Sequence, residues 1–165
     1  MNEKNIVKLA DYTPYDFLLP RVQLDFAIYE EYVCVKSRMR IEPLLDSSTP
    51  LVLEGVGLEL EELSIEGEIL SRDKYVISQG SLIINHPPLT PFILEISTRI
   101  DPFNNTSLEG LYLSESMLVT QCEAEGFRRI SYHPDRPDVL SKYKVRIEAD
   151  IEKYPILLSN GNRIN

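Results

Sequence analysis

Apolar residues in this chain recur at every second position in several short runs. They fall at Val22, Leu24, Phe26 and Ile28, pause at Glu30-Glu31, and resume at Val33, Val35, Met39 and Ile41. A period of two places alternate side chains on one face, so the pattern predicts a hairpin with one buried face, ended by Pro43 and the "DSSTP" segment. "LVLEGVGLELEELSIEG" alternates again but changes phase at Glu61-Glu62. That shift predicts a bulge between Leu60 and Leu63 while a single face goes on being buried.

Further along, Gln79-Gly80 separates two β-rich runs in "KYVISQGSLIINHPP" and predicts a second hairpin. "PFILEISTRI" alternates at Phe92, Leu94, Ile96 and Ile100. In "YHPDRPDVLSKY" the signals change: Asp135 is a helix-capping type, Pro137 suits a first helical turn, and Val139 to Tyr143 complete a short helix. "KVRIEADI" and "PILLSNGN" read as two closing strands, with Asn160-Gly161 as a turn. With no long helical period, repeat or composition shift, residues 1–165 read as one all-β unit. The predicted architecture is an antiparallel β-sandwich or pair of saddle-shaped sheets with at most one short helix.

Composition narrows the function classes. The chain has 165 residues and is 43% hydrophobic, enough for a core of its own. It carries 26 acidic against 17 basic side chains, a formal charge of -9, with no basic run longer than Arg128-Arg129. Nucleic acid would be repelled, so a neutral or cationic partner is expected. Cys34 and Cys122 are far apart and suggest reduced thiols in a cytoplasm rather than a disulfide framework or metal knuckle. No apolar run is long enough to span a bilayer and the first twenty residues lack the apolar stretch of a signal peptide, so no membrane partner is expected. The overlapping Asn104 and Asn105 sequons then read as a polar turn.

Candidate chemistry is sparse. His86 and His133 each precede a proline and suit surface or turn roles, and no spacing supports a zinc site. No serine lies in a Gly-x-Ser-x-Gly elbow, neither cysteine has a catalytic flank, and there is no glycine-rich phosphate loop. That leaves Glu123 and Glu125 in "CEAEG". If this stretch is extended, the two carboxylates share a face roughly 6.5 to 7 Å apart, a separation that overlaps paired glycosidase carboxylates. The competing interpretation is a solvated charged edge balanced by Arg128 and Arg129. Gly126 allows a bulge or a close backbone approach that aims the residues before it.

The long irregular core "LEGLY...TQCEAEGFR...DRPDV...LLSNGN" resembles the N-terminal β-domain of the bacterial aminopeptidase N group of the zinc-dependent M1 peptidase family. The likeness is loose over the first hundred residues and close from Asn105 to Ile164. It implies a domain that caps a catalytic domain absent from this chain and lends it a loop of the substrate pocket. On that loop Glu123 would bind the free α-amine of a peptide substrate, and Gln121 would line the pocket for its first side chain. For Glu125 and Arg128 structural pairing is expected. His133-Pro134 replaces the aromatic-leucine pair usual in the family, a departure that touches the turn and no binding residue. The family's Gly-Ala-Met-Glu-Asn stretch and His-Glu-x-x-His helix are not among these residues. Zinc is therefore expected in the full-length enzyme and not on this chain, which alone should not cleave peptides. Two other classes remain at this point: a free-standing β-sandwich binding module using its acidic face, and a small glycosidase using Glu123 and Glu125.

Overall fold

The alternating runs do become strands that bury one face. A computed structural model describes residues 8–44 and 49–164; part of the "DSSTP" segment lies outside them. The first hairpin is β1 (Phe17–Ile28) and β2 (Val33–Pro43), in antiparallel register with Val22 opposite Met39 and Phe26 opposite Val35. Strand β8 (Phe92–Ile100) pairs with the other side of β2 and buries every second residue from Phe92 to Ile100. Strands β4 (Glu59–Ile65) and β5 (Glu68–Ile69) extend the sheet beyond β8. The predicted phase change is a register shift between Leu60 and Glu62 where β4 pairs with β8.

Two of the predicted continuities break. The stretch from Leu51 to Ile65 does not line one sheet: β3 (Leu51–Glu54) pairs with β7 (Ser81–Ile84), while β4 joins β8. The chain turns between them at Gly55 to Leu58, where Gly57 has φ 69°. The second hairpin forms as expected from β6 (Tyr75–Ser78) and β7, with Gln79 and Gly80 at φ 49° and 80°, the positive values a tight hairpin turn requires. The result is a three-stranded sheet in the order β3-β7-β6.

A further hairpin, β9 (Gly110–Ser114) and β10 (Met117–Gln121), forms a separate two-stranded sheet. The short helix expected over Val139 to Tyr143 does not form. Asp135 spends its carboxylate on Arg128 instead of a helix end, and Lys142 already begins β11 (Lys142–Glu148). Strand β11 lies parallel to β1, with Val22 opposite Tyr143, so one pair of the six-stranded sheet β11-β1-β2-β8-β4-β5 departs from the antiparallel expectation. The second closing strand, "PILLSNGN", is not a strand. Ile156 and Leu158 stand 75% and 85% exposed and Asn160-Gly161 is a bend.

One face of the large sheet carries the core. Met39, Ile41, Leu94 and Ile96 meet Leu51, Leu53, Leu82 and Ile84 of the three-stranded sheet in one buried cluster. Val33 and Val35, on the same face of β2, meet Ile100, Leu111 and Ile130 in a second cluster. Each fully buried aliphatic side chain contributes about 1.5 to 3 kcal/mol relative to exposure, so two sheets closing over one is the favoured arrangement. The buried Thr98 hydroxyl lies 3.3 Å from Val35 O and 3.4 Å from Ile130 O, which ties the large sheet to the segment that follows β10. No helix among the described residues is long and apolar enough to cross a membrane.

Candidate substrate-binding loop

Strand β10 delivers Gln121 to the surface, and the chain then reverses through residues 122–126 into a single 3-10 turn, Phe127–Arg129. Gly126 N–H donates to Cys122 O at 2.9 Å and closes the reversal. A side chain at position 126 would put its Cβ 2.5 Å from Gln121 O and 2.9 Å from Cys122 Cα. Glycine is therefore required here by close approach, as the sequence suggested. Glu125 has φ 70°, and the Glu123–Ala124 peptide bond is cis. Residues 123–126 form a turn and not a strand, which removes the geometric premise for a shared carboxylate face and with it the glycosidase interpretation.

The acidic and basic side chains around the turn are largely matched. Asp135 Oδ2 accepts from Arg128 N at 3.1 Å and from Arg128 Nε at 3.0 Å, and Asp135 O accepts from the guanidinium at 3.3 Å. Both partners are mostly buried, with side chains 23% and 14% exposed, so this pair anchors the turn more firmly than a surface ion pair would. Arg128 also reaches Glu125 at 3.5 Å, the structural pairing expected from the sequence. Arg129 Nε donates to Glu109 at 3.0 Å. Asp135 itself is held in place: its N–H donates to Glu54 Oε2 at 3.1 Å.

Glu123 differs from its neighbours. It is exposed, and among the described residues no cation pairs with its carboxylate. The exposed Gln121 donates from Nε2 to Glu123 O at 3.0 Å, so the two predicted site residues are side by side. That bond uses one amide hydrogen of Gln121 and leaves its oxygen and second hydrogen available. Two surface clefts, of about 350 and about 160 Å³, are lined respectively by residues including Tyr32 and Arg99 and by residues including Tyr15 and Val139; neither includes Gln121 or Glu123. The pair therefore forms one open wall.

His133 was expected in a surface or turn role and is instead 4% exposed, in an isolated bridge. Its main chain bridges to β3, exchanging hydrogen bonds with Glu54 at 2.9 and 3.0 Å, which draws the ring inward. Nε2 lies 2.7 Å from the Tyr143 hydroxyl, and Phe127 stands edge-on to the imidazole at 4.9 Å. Burial lowers the His133 pKa to about 4, against a smaller upward influence from Asp135. Burial also raises the Tyr143 and Cys122 pKa values, so the half-buried Cys122 thiol beside the loop stays protonated and unreactive near neutrality. His86 is exposed, as expected. Both cysteines are free. Among the described residues no three His, Cys, Asp or Glu side chains are placed together to hold a metal ion.

Asp135, Glu54 and Tyr143, which hold the turn from beneath, were not picked out as loop supports in the sequence.

Comparison with known proteins gives a consistent result. The peptidase M1 N-terminal domain family matches residues 14–165. Aminopeptidase N of Caulobacter vibrioides is 44% identical over 158 residues, covering 96% of this chain and 18% of its own. Aminopeptidase N of Haemophilus influenzae is 40% identical over 154 residues, 93% of this chain and 18% of its own. The crystal structure of Legionella pneumophila aminopeptidase A in complex with aspartic acid superposes with a TM-score of 0.88 at 39% identity, covering 96% of this chain and 19% of that one. An M1 zinc metallopeptidase from Deinococcus radiodurans shares the fold, with a TM-score of 0.65 at 15% identity over 80% of this chain and 32% of its own. The chain spans about a fifth of the length of the curated relatives it matches.

Proposed function

The chain belongs to the peptidase M1 N-terminal domain family, and on that premise we propose that it is the capping domain of a zinc-dependent aminopeptidase that removes N-terminal residues from peptides. In this reading residues 1–165 are one domain, the catalytic domain and its zinc are supplied by further polypeptide, and the full-length enzyme works in the cytoplasm. The isolated chain is inactive, because the residues that bind metal and activate water are elsewhere. Glu123 receives the α-ammonium group of the substrate and Gln121 lines the pocket for its first side chain.

The observation that carries this reading is the unmatched carboxylate. Glu125, Asp135 and Glu109 each face an arginine, whereas Glu123 is held on a pinned loop with no cation paired to it among the described residues. In water an exposed carboxylate attracts an ammonium group weakly, since solvent screens the pair. A covering domain would exclude that solvent and turn the same two charges into a short, charge-assisted hydrogen bond. Anchoring the chain end there fixes the distance from the terminus to the bond that is cut, which is what an exopeptidase needs.

Glu123→Gln in the full-length enzyme tests the assignment. The neutral amide keeps the shape and removes the charge, so KM for peptides with a free terminus should rise about 10- to 100-fold, the equivalent of one hydrogen bond to a charged group. Unchanged KM and kcat would remove Glu123 from the site. Gln121→Ala should instead shift preference among first residues more than it lowers the rate.

A further inference from the structure

The outer side of the loop faces solvent, while Phe127 packs edge-on against the buried His133 ring and the half-exposed Tyr143 ring. Phe127, the first residue of the 3-10 turn, lies 4.9 Å from His133 and 6.2 Å from Tyr143, and His133 lies 6.2 Å from Tyr143. All three pairs meet edge-to-face, at 72°, 73° and 69°, an arrangement that resists rotation of any one ring. The rings come from independently fixed elements. His133 is tied to β3 through its main-chain bridge with Glu54, and Tyr143 is set by the register of β11 on β1. The 2.7 Å contact between His133 Nε2 and the Tyr143 hydroxyl therefore joins the three-stranded sheet to the edge strand of the six-stranded sheet, beneath Phe127.

An apolar ring at position 133 would fill this space with less penalty. The imidazole is buried and its Nδ1 meets no partner among the described residues. Leaving a buried nitrogen unsatisfied is destabilising, so the one polar contact that the ring does make has to account for its presence. Asp135, the charged group that acts on it, is already committed to Arg128, and the Cys122 thiol lies near Asp135 and Tyr143. None of these offers His133 a competing hydrogen bond among the described residues.

We infer that His133 and Tyr143 are positioning residues for the amine-binding loop: their hydrogen bond sets the seat of Phe127 and thereby the height at which Glu123 is presented. This rests on the amine-anchor reading above. His133 and Tyr143 act through Phe127, Gly126 and the pinned reversal at Cys122.

The test is a double-mutant cycle in the full-length enzyme with Tyr143→Phe, which removes only the hydroxyl, and Glu123→Gln. Tyr143→Phe should raise KM for free-terminus peptides about three- to tenfold with kcat nearly unchanged, the size of one lost neutral hydrogen bond. In the Glu123→Gln background it should have no further effect on KM, because a misplaced carboxylate cannot matter once the charge is gone. Amide hydrogen exchange across residues 122–130 should also be faster in the Tyr143→Phe enzyme. A Glu123→Gln effect without a Tyr143→Phe effect, or two effects that multiply independently, overturns the positioning role alone. A Glu123→Gln enzyme with unaltered KM overturns the amine anchor and the positioning role together. A uniform fall in kcat with unchanged KM would mark Tyr143 as merely structural and also overturns the inference.

Discussion

Lowering the pH below about 6.5 should weaken this domain through a buried side chain, His133. An exposed histidine takes up a proton near 6.5, whereas burial holds His133 neutral down to about 4. The sign follows from that order. Above about pH 6.5 both folded and unfolded chains carry a neutral imidazole and the residue contributes nothing to pH dependence. Between about 6.5 and 4 the unfolded chain binds a proton that the folded chain refuses, so stability falls as the pH falls; below about 4 the loss levels off. The full gap of about 2.5 pH units corresponds to about 3 kcal/mol, and the portion already lost at pH 5 is about 2 kcal/mol. His133→Phe keeps a ring against Phe127 and removes the titration. Urea denaturation of both proteins at pH 8 and pH 5 isolates the difference, since the other ionisable groups are common to the two. The wild type should lose about 2 kcal/mol more than the variant, a shift of about 1 M in midpoint at a typical slope for a chain of this size. Parallel loss in the two proteins would refute the burial argument.

Three other perturbations follow from the same region and its core. Gly126→Ala drives a Cβ into Gln121 O and Cys122 Cα, so the backbone must shift; thermal denaturation should show a loss of about 1 to 3 kcal/mol, and KM of the full-length enzyme should rise with it. Asp135→Asn keeps the shape but removes the charge that holds Arg128 N and Nε, with an expected cost of about 1.5 to 3 kcal/mol by chemical denaturation and little change at the exposed Glu125. Leu53→Ala empties a fully buried position between the sheets and should cost about 2 to 5 kcal/mol, read as a lowered denaturation midpoint with unchanged slope.

The strands that alternate strictly were legible from sequence because each buries one face completely. Phe92, Leu94, Ile96 and Ile100 are all at most 5% exposed, and the partners of β8 are set by that face. The Gln79-Gly80 hairpin and the Leu60 bulge were equally plain, since turn chemistry and a phase change are local signals. The β9–β10 hairpin was missed for the opposite reason. Its turn uses Glu115 at φ 55°, an unusual residue for that conformation, and its strands bury little beyond Gly110 and Leu111. The helix expected at Val139 to Tyr143 failed because capping potential is competitive. Asp135 is a good cap in isolation, but Arg128, seven residues earlier, offers it a charge. Within the loop, Glu123 and Gln121 were accessible only through the resemblance, since spacing alone had pointed to a paired-carboxylate face that the turn geometry abolishes. His133 was misplaced because its burial comes from the β3 bridge, a long-range contact with no local signature.

The parallel pairing of β11 with β1 has a consequence for how the domain is made. Its two strands are separated by more than a hundred residues, so the outer edge of β1 stays open on the ribosome until Glu148 has emerged. Until then the nascent chain presents an unpaired strand edge, with Val22, Leu24 and Phe26 alternating along it, to any neighbouring polypeptide. Closure is also the most non-local pairing in the sheet and therefore the one whose loop entropy is least favourable. A premature stop anywhere before Lys142 would yield a chain with most of its core sequence but an uncapped sheet, a species for chaperones and proteases rather than a smaller working domain.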